Sequence, residues 1–205
     1  MKILPEHEAK KLLQKYGIPT TKFFIIEKRN DIEKIQIGYP VALKVSSPNI
    51  LHKTDIGAIV LDIKNKEELI EKYEEMRQRF SSEIFIVEEM EEKGVEIIAG
   101  IVDDDAFGKC IMVGIGGIFT EIYKDVAFRM VPASKEDIED MLKELKGRRI
   151  FEGYRLNLDK EALIEILLRL NKMAQEMEIK QLDMNPIFLY EDGAKVIDAK
   201  IIMEE

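Results

Sequence analysis

Helical and strand-like stretches alternate along the chain. In EHEAKKLLQKYGIP, Ala9, Leu12, Leu13 and Tyr16 recur at helical spacing, and Gly17 and Pro19 end the segment. KFFII (22–26) reads as a strand, DIEKIQ as a short helix, and YPVALKV carries a second strand over about 41–45. GAIVLDI (57–63) is a third strand. Asn65 and Glu68 have capping-box spacing ahead of KEELIEKYEEMRQRF. Its Leu69, Tyr73, Met76 and Phe80 form one apolar stripe that reads as core. EIFIVEEM (83–90) and VEIIAGIV (95–102) are strands joined by a bend, KCIMVGIGG is a strand entering a glycine turn, and AFRMV is another strand.

Ser134 caps KEDIEDMLKELKG, which Gly147 ends, and Asp159 caps KEALIEILLRLNKMAQEM. Strands are expected near 179–183, 187–190 and 195–199. The order predicts an α+β (mixed α/β) fold. A boundary near 88–94 divides a smaller lobe of about 20–88 from a larger lobe of about 89–205, and leaves open which lobe the first helix (1–19) packs on.

Composition narrows this picture. With 205 residues, 46% of them hydrophobic, the chain can bury a real core in one domain or in one domain of two lobes. A net charge of -9 argues against broad binding to nucleic acid or anionic membranes, yet leaves room for a local basic pocket. Cys110 is the only cysteine, so no internal disulfide and no zinc-type Cys/His cluster forms. MKILPEHEAKK turns charged too early for a signal peptide, and no apolar run approaches a membrane span, so a cytoplasmic protein is expected.

Five constellations carry candidate chemistry. Lys44, amid apolar strand residues, needs either an anionic partner such as phosphate or a route for its ammonium to the surface. Gly114, Gly116 and Gly117 in GIGGIFTE either make a plain tight turn or let backbone amides face an anion, without matching a P-loop. Asp183 and Asn185 are two apart on an extended segment and point to one side. Asp198 lies on a following strand; if the two strands pair, three oxygen ligands suited to Mg²⁺ converge, and otherwise the acids mark strand ends. IVEEM followed by Glu96 is either a solvated acidic turn or a bend presenting backbone to a planar base and carboxylates to ribose hydroxyls. His52, in ILHKTDIG, is either an ordinary loop histidine or a nucleophilic imidazole able to take a phosphoryl group. His7 falls on the polar side of the first helix and receives no role.

Together VALKVSSPNILHKTDIGAIV, IFIVEEM, GVEIIAGIVDDDAFGKCIMVGIGGIFTEIYKDVAFRMVP and QLDMNPIFL resemble the ATP-grasp β subunit of ADP-forming acetyl-CoA synthetase (acetate–CoA ligase), which is related to the β subunit of succinyl-CoA synthetase. The resemblance covers nearly the whole chain. It implies an ATP-grasp fold of two lobes with nucleotide bound between them, and a ligase working on acyl-CoA, ADP and phosphate. It implies Lys44 on phosphate, Glu88 and Met90 at the adenine hinge, Glu96 by the ribose, the three glycines on a phosphate-facing turn, and Asp183, Asn185 and Asp198 on Mg²⁺. His52 would be the phosphohistidine, receiving its group from a histidine of a separate CoA-binding α subunit, as part of an α2β2 heterotetramer. Asp125 and Arg129 fall in a family motif without an assignable role. One departure is Ala58, where a glycine is expected after Asp55-Ile56-Gly57. Two other readings keep ATP-grasp chemistry without His52: a carboxylate ligase acting on an amine, and a nucleotide-binding regulatory subunit. The preferred acid and the choice of ADP over GDP are not legible in the residues.

Overall fold

The structure, a computed structural model, describes residues 1–50, 53–117, 124–153 and 156–204. In chain order its first elements are β1 (Lys2–Ile3), α1 (Glu6–Lys15), β2 (Phe23–Ile26), β3 (Val41–Ser46), β4 (Ile59–Ile63), α2 (Lys66–Arg79) and β5 (Ile84–Glu89). There follow β6 (Val95–Asp104), β7 (Gly108–Ile115), β8 (Val126–Met130), α3 (Lys135–Glu144), α4 (Lys160–Glu176), β9 (Ile179–Tyr190), β10 (Gly193–Val196) and β11 (Ala199–Met203). The expected short helix DIEKIQ is a 3-10 turn at Arg29–Lys34. The chain forms two compact units.

The smaller unit holds residues 5–8 and 21–92. Its antiparallel sheet runs β2-β5-β3-β4. Strand alternation sends Val41, Leu43, Val45, Phe85 and Val87 to one face, where they bury with Leu69, Tyr73 and Met76 of α2. The Tyr73 and Phe85 rings meet edge-on at 5.2 Å. Ala42, Lys44, Ser46, Ile86 and Glu88 therefore occupy the opposite face. Helix α2 starts as its cap predicts: the Asn65 side chain accepts from the Glu68 N–H at 2.9 Å. Glu68 reaches back one residue further than expected, accepting from the Lys64 N–H at 2.8 Å.

The larger unit holds residues 1–4, 9–20 and 93–205. Its strands run β1-β11-β9-β6-β7-β8, with β10 also paired to β9. Ile97, Ala99, Ile111, Val113, Leu182 and Met184 line the core face, against Leu163, Leu167 and Leu170 of α4 and Ile138 and Met141 of α3. Gly100 pairs with Asp183 across the β6–β9 ladder. A Cβ at Gly100 would collide with the Leu182 carbonyl oxygen, so the two strands can approach only with glycine there.

Three expectations need correction. Residues 179–183 and 187–190 belong to one strand, β9, while the return is two strands, β10 and β11. The break falls at Ile197 and Asp198, whose backbones bond across to Pro186 (2.9 Å) and Asn185 (3.2 Å), so the ladder changes partner without ending β9. Helix α3 stops at Glu144 instead of Gly147, because Leu145 turns extended (ψ 136) and buries its side chain.

The face of the larger sheet away from its core leaves Val102, Phe128 and Met130 exposed. Among the described residues no helix is long and apolar enough to cross a membrane.

Candidate functional site

Lys44 does not reach the surface: it is 4% exposed, at the centre of β3. Its ammonium donates to Glu88 Oε2 at 2.7 Å and to Glu6 Oε1 at 3.1 Å. Glu88 opposes Ala42 in the β3–β5 ladder, so it is the diagonal neighbour of Lys44 on the same face, within reach of a long side chain. The Glu88 carboxylate, 2% exposed, is thus the counter-charge of Lys44. The side chain expected at an adenine hinge turns inward to the lysine. Buried charges persist only when paired in this way. Glu6, in the first turn of α1, is as deeply buried, and its second oxygen accepts from Lys53. One carboxylate therefore spans two lysines.

His7 lies beside Glu6, and here the expectation of a polar-side residue fails. The imidazole is buried, with Nδ1 2.8 Å from Ser46 Oγ, and the same hydroxyl accepts from the His7 backbone N–H at 3.0 Å. The first turn of α1 is thus clasped to the end of β3 by its backbone as well as its ring.

His52 lies outside the described residues, and the segment that follows it is ordered by backbone bonds. The Ala58 N–H donates to the Lys53 carbonyl at 2.7 Å, and the Val45 N–H donates to the Ala58 carbonyl at 2.9 Å. Gly57 (φ +65) makes the left-handed turn, so Ala58 needs no glycine conformation and fills a fully buried position. The end of α2 supports this turn, Arg79 Nη2 donating to the Ile56 carbonyl at 2.7 Å. Met90, past the end of β5, has its sulfur 3.0 Å from the Asp62 N–H, where β4 bulges and Asp62 itself takes φ +64.

In the larger unit the glycine turn packs on Glu96. The Gly116 N–H donates to the Glu96 carbonyl at 2.6 Å, and a Cβ at Gly116 would sit 2.9 Å from the Glu96 backbone. Gly117 takes φ +76 beside Glu96 Oε2. Gly114 is wedged in β7 against Val126 and the Asp125 carbonyl. Close strand packing thus accounts for glycine at 114 and 116; residues 118–123 of the run lie outside the described residues. Glu96 also pairs with Lys93 at 3.2 Å.

Asp125 and Arg129 acquire structural roles. The Asp125 carboxylate accepts from the Lys146 and Gly147 N–H groups at 2.7 and 2.9 Å, tying the chain before β8 to the end of α3. Arg129 makes a two-pronged bond to Glu144 at 2.7 and 3.0 Å. That contact raises the guanidinium pKa and lowers that of the carboxyl.

The pairing of β9 with the returning strand joins Asn185 to Asp198 through the backbone. The Asn185 N–H donates to the Asp198 carbonyl at 3.2 Å, and Asp183 opposes Lys200 in the β9–β11 ladder. Burial holds the Asp183 carboxyl above the usual carboxylate range, and the Lys200 charge pulls it partly back. A half-buried carboxylate short of solvation is a donor of the kind that suits a hard divalent cation. Among the described residues no group of three His, Cys, Asp or Glu side chains stands close enough together to hold a metal ion.

Local sequence missed Glu6, Lys53 and the inward turn of Glu88. Only the fold brings position 6 against positions 44 and 53, and no periodicity signals that contact.

An ATP-grasp domain model matches residues 1–203. The chain is 40% identical over 214 residues to the acetate–CoA ligase [ADP-forming] II β subunit of Pyrococcus furiosus, covering 97% of this chain and 91% of that one. It is 39% identical to acetate–CoA ligase [ADP-forming] II of Archaeoglobus fulgidus, over 99% of this chain but only 31% of that longer polypeptide. The chain therefore spans about a third of that relative. Among solved structures, the dinucleotide-forming acetyl-coenzyme A synthetase 1 of Ca. Korarchaeum cryptofilum superposes with a TM-score of 0.86 at 38% identity, covering 99% of this chain and 93% of that one. That protein was captured with coenzyme A and Mg-AMPPCP, its phosphohistidine segment pointing towards the nucleotide site. Two antiparallel sheets of this order, with a family match over almost every residue, identify the chain as a member of the ATP-grasp domain family.

Proposed function

We propose that this chain is the nucleotide-binding β-type subunit of an ADP-forming acyl-CoA synthetase. The overall reaction is acyl-CoA + ADP + phosphate ⇌ carboxylic acid + ATP + CoA. The observation that carries the reading is the length of the likeness: it runs through nearly all of a relative that is itself a separate β subunit. The compact unit of residues 5–8 and 21–92 acts as the smaller lobe and that of residues 1–4, 9–20 and 93–205 as the larger. The CoA-binding part is a separate α-type partner, in an α2β2 assembly, and the setting is cytoplasmic.

In the ATP-cleaving direction, a ring nitrogen of His52 forms a bond to the γ-phosphorus. The bond from that phosphorus to the β,γ-bridging oxygen breaks, and ADP leaves with the electron pair. Lys44, paired with Glu88 and Glu6, offers a fixed cation to phosphate oxygens. Asp183, Asn185 and Asp198 would hold Mg²⁺, which neutralises phosphate charge when bound. Met90 contributes the adenine edge and Glu96 the ribose side. The glycine turn that starts at Gly114, Gly116 and Gly117 faces phosphate.

The test is labelling with γ-labelled ATP and Mg²⁺ in the presence of the α-type partner. Wild type should take up acid-labile, base-stable phosphate and His52→Ala none. Equal labelling of the two proteins would refute the phosphohistidine. In calorimetry Asp183→Ala should weaken Mg·ATP binding, and unchanged binding would remove Asp183 from the metal site.

A further inference from the structure

We infer that the exposed apolar face on β6, β7 and β8 of the larger sheet is a docking surface for the α-type partner. Phe107, Phe128, Met130 and Val102 make the apolar contact, and the acidic tip of the β6–β7 hairpin meets basic residues of that partner. The inference rests on the β-type subunit reading above and deepens it, because it places the partner on a stated part of the fold.

Strand register puts this face and the proposed metal ligand on one side of the sheet. Asp183, Gly100, Met112 and Phe128 are successive partners across β9, β6, β7 and β8, and Gln181, Val102, Cys110 and Met130 form the next row. Direct partners share a face, and this one is opposite the buried Ile101, Ile111 and Leu182. Three strand spacings of about 4.8 Å put Phe128 roughly 14 Å from Asp183. Val102, Phe107, Cys110, Phe128 and Met130 enclose a depression of about 480 Å³, with Asp104 as its one charged group.

Area decides what kind of occupant fits. Phe107 is 68% exposed, Met130 61%, Phe128 50% and Val102 37%. Such fractions of side chains of this size amount to roughly 400 Å² of apolar surface, at the upper end of what a monomer leaves to water. A stable pair of proteins needs about 800 Å² on each side. The patch is therefore too small to hold two copies of the chain by itself. It suits a partner that is also held at a second place on the same face, as one that exchanges phosphoryl with the nucleotide site must be.

Charge argues the same way. Asp103, Asp104 and Asp105 are consecutive at the hairpin tip, in a chain of net charge -9. Lys180 pairs with Asp103 at 3.2 Å and stands 3.7 Å from Asp105, whose side chain is fully exposed. Asp104 accepts from the Ala106 and Phe107 N–H groups at 2.9 and 3.0 Å, closing the turn in which Phe107 sits. A second copy would bring acid towards acid, whereas basic residues around an apolar projection complement this border.

The experiment measures binding of the α-type chain from the same organism to this chain and its variants. The Phe128→Ser, Met130→Ser double variant is expected to bind about 30-fold more weakly, as loss of anchoring side chains does. Asp105→Lys should slow association at low salt and lose that effect at high salt. All three side chains are exposed, so ADP affinity and melting temperature of the isolated variants should match wild type. In the wild-type complex, peroxide should oxidise Met130 more slowly than in the isolated chain. If the double variant melts early, Met130 oxidation and Asp105→Lys carry the test. Wild-type affinity in the double variant, unchanged association of Asp105→Lys, or Met130 oxidised equally fast in the complex would overturn the inference. So would a wild-type chain that sediments alone as a dimer and becomes monomeric after Phe128→Ser, which gives the face to a second copy. A wild type that binds no α-type chain is a different result: it refutes the β-type subunit reading, and this inference with it.

Discussion

Lys44 shows what a single residue reveals before the fold is known. That a lysine inside an apolar strand needs a counter-charge follows from its chemistry; which carboxylate answers it depends on strand register and on a helix turn 38 positions away. The acidic character of Glu88 was legible, but not its direction, because strand alternation fixes a face only after the pairing is known. Gly100 went unremarked for the same reason: nothing local distinguishes it, and only the neighbouring strand excludes a side chain there. Gly100→Ala should destabilise the protein by about 1–3 kcal/mol, as a strained insertion into packed structure does. Urea unfolding measures this, and a variant as stable as wild type would mean that β6 and β9 can separate freely.

Among elements, those closed by local bonds were readable. Asn65, Ser134 and Asp159 each accept from a backbone N–H three residues on, the geometry their spacing predicts. The end of α3 and the split return strand were not readable, since both are set by partners distant in sequence: Asp125 for the first, Pro186 and Asn185 for the second. The Arg129–Glu144 fork, joining β8 to α3, carries a pH dependence with a definite sign. The guanidinium lowers the folded-state carboxyl pKa. Its contribution is therefore present above the ordinary carboxylate pKa and is lost as pH falls through the depressed value. Glu144→Gln should melt below wild type at pH 7, and the gap should close in acid. A gap unchanged down to acid pH would show that charge plays no part.

Across the whole molecule, the family and the mixed α+β class were legible in two long motifs, and strand order was not. Hydrophobic periodicity marks which residues face a core but not which strand lies beside which. The two sheets bury separate cores. In the larger one, β9 is paired along one side with β6 and along the other with β10 and β11. The amide hydrogens of Leu182 and Met184 should thus be among the last to exchange with deuterated solvent, through global opening only. Exchange there as fast as at chain ends would contradict the double pairing. Asp183 sits between those two amides. On warming, its carboxylate would keep its bearing long after the surrounding turns have begun to fray.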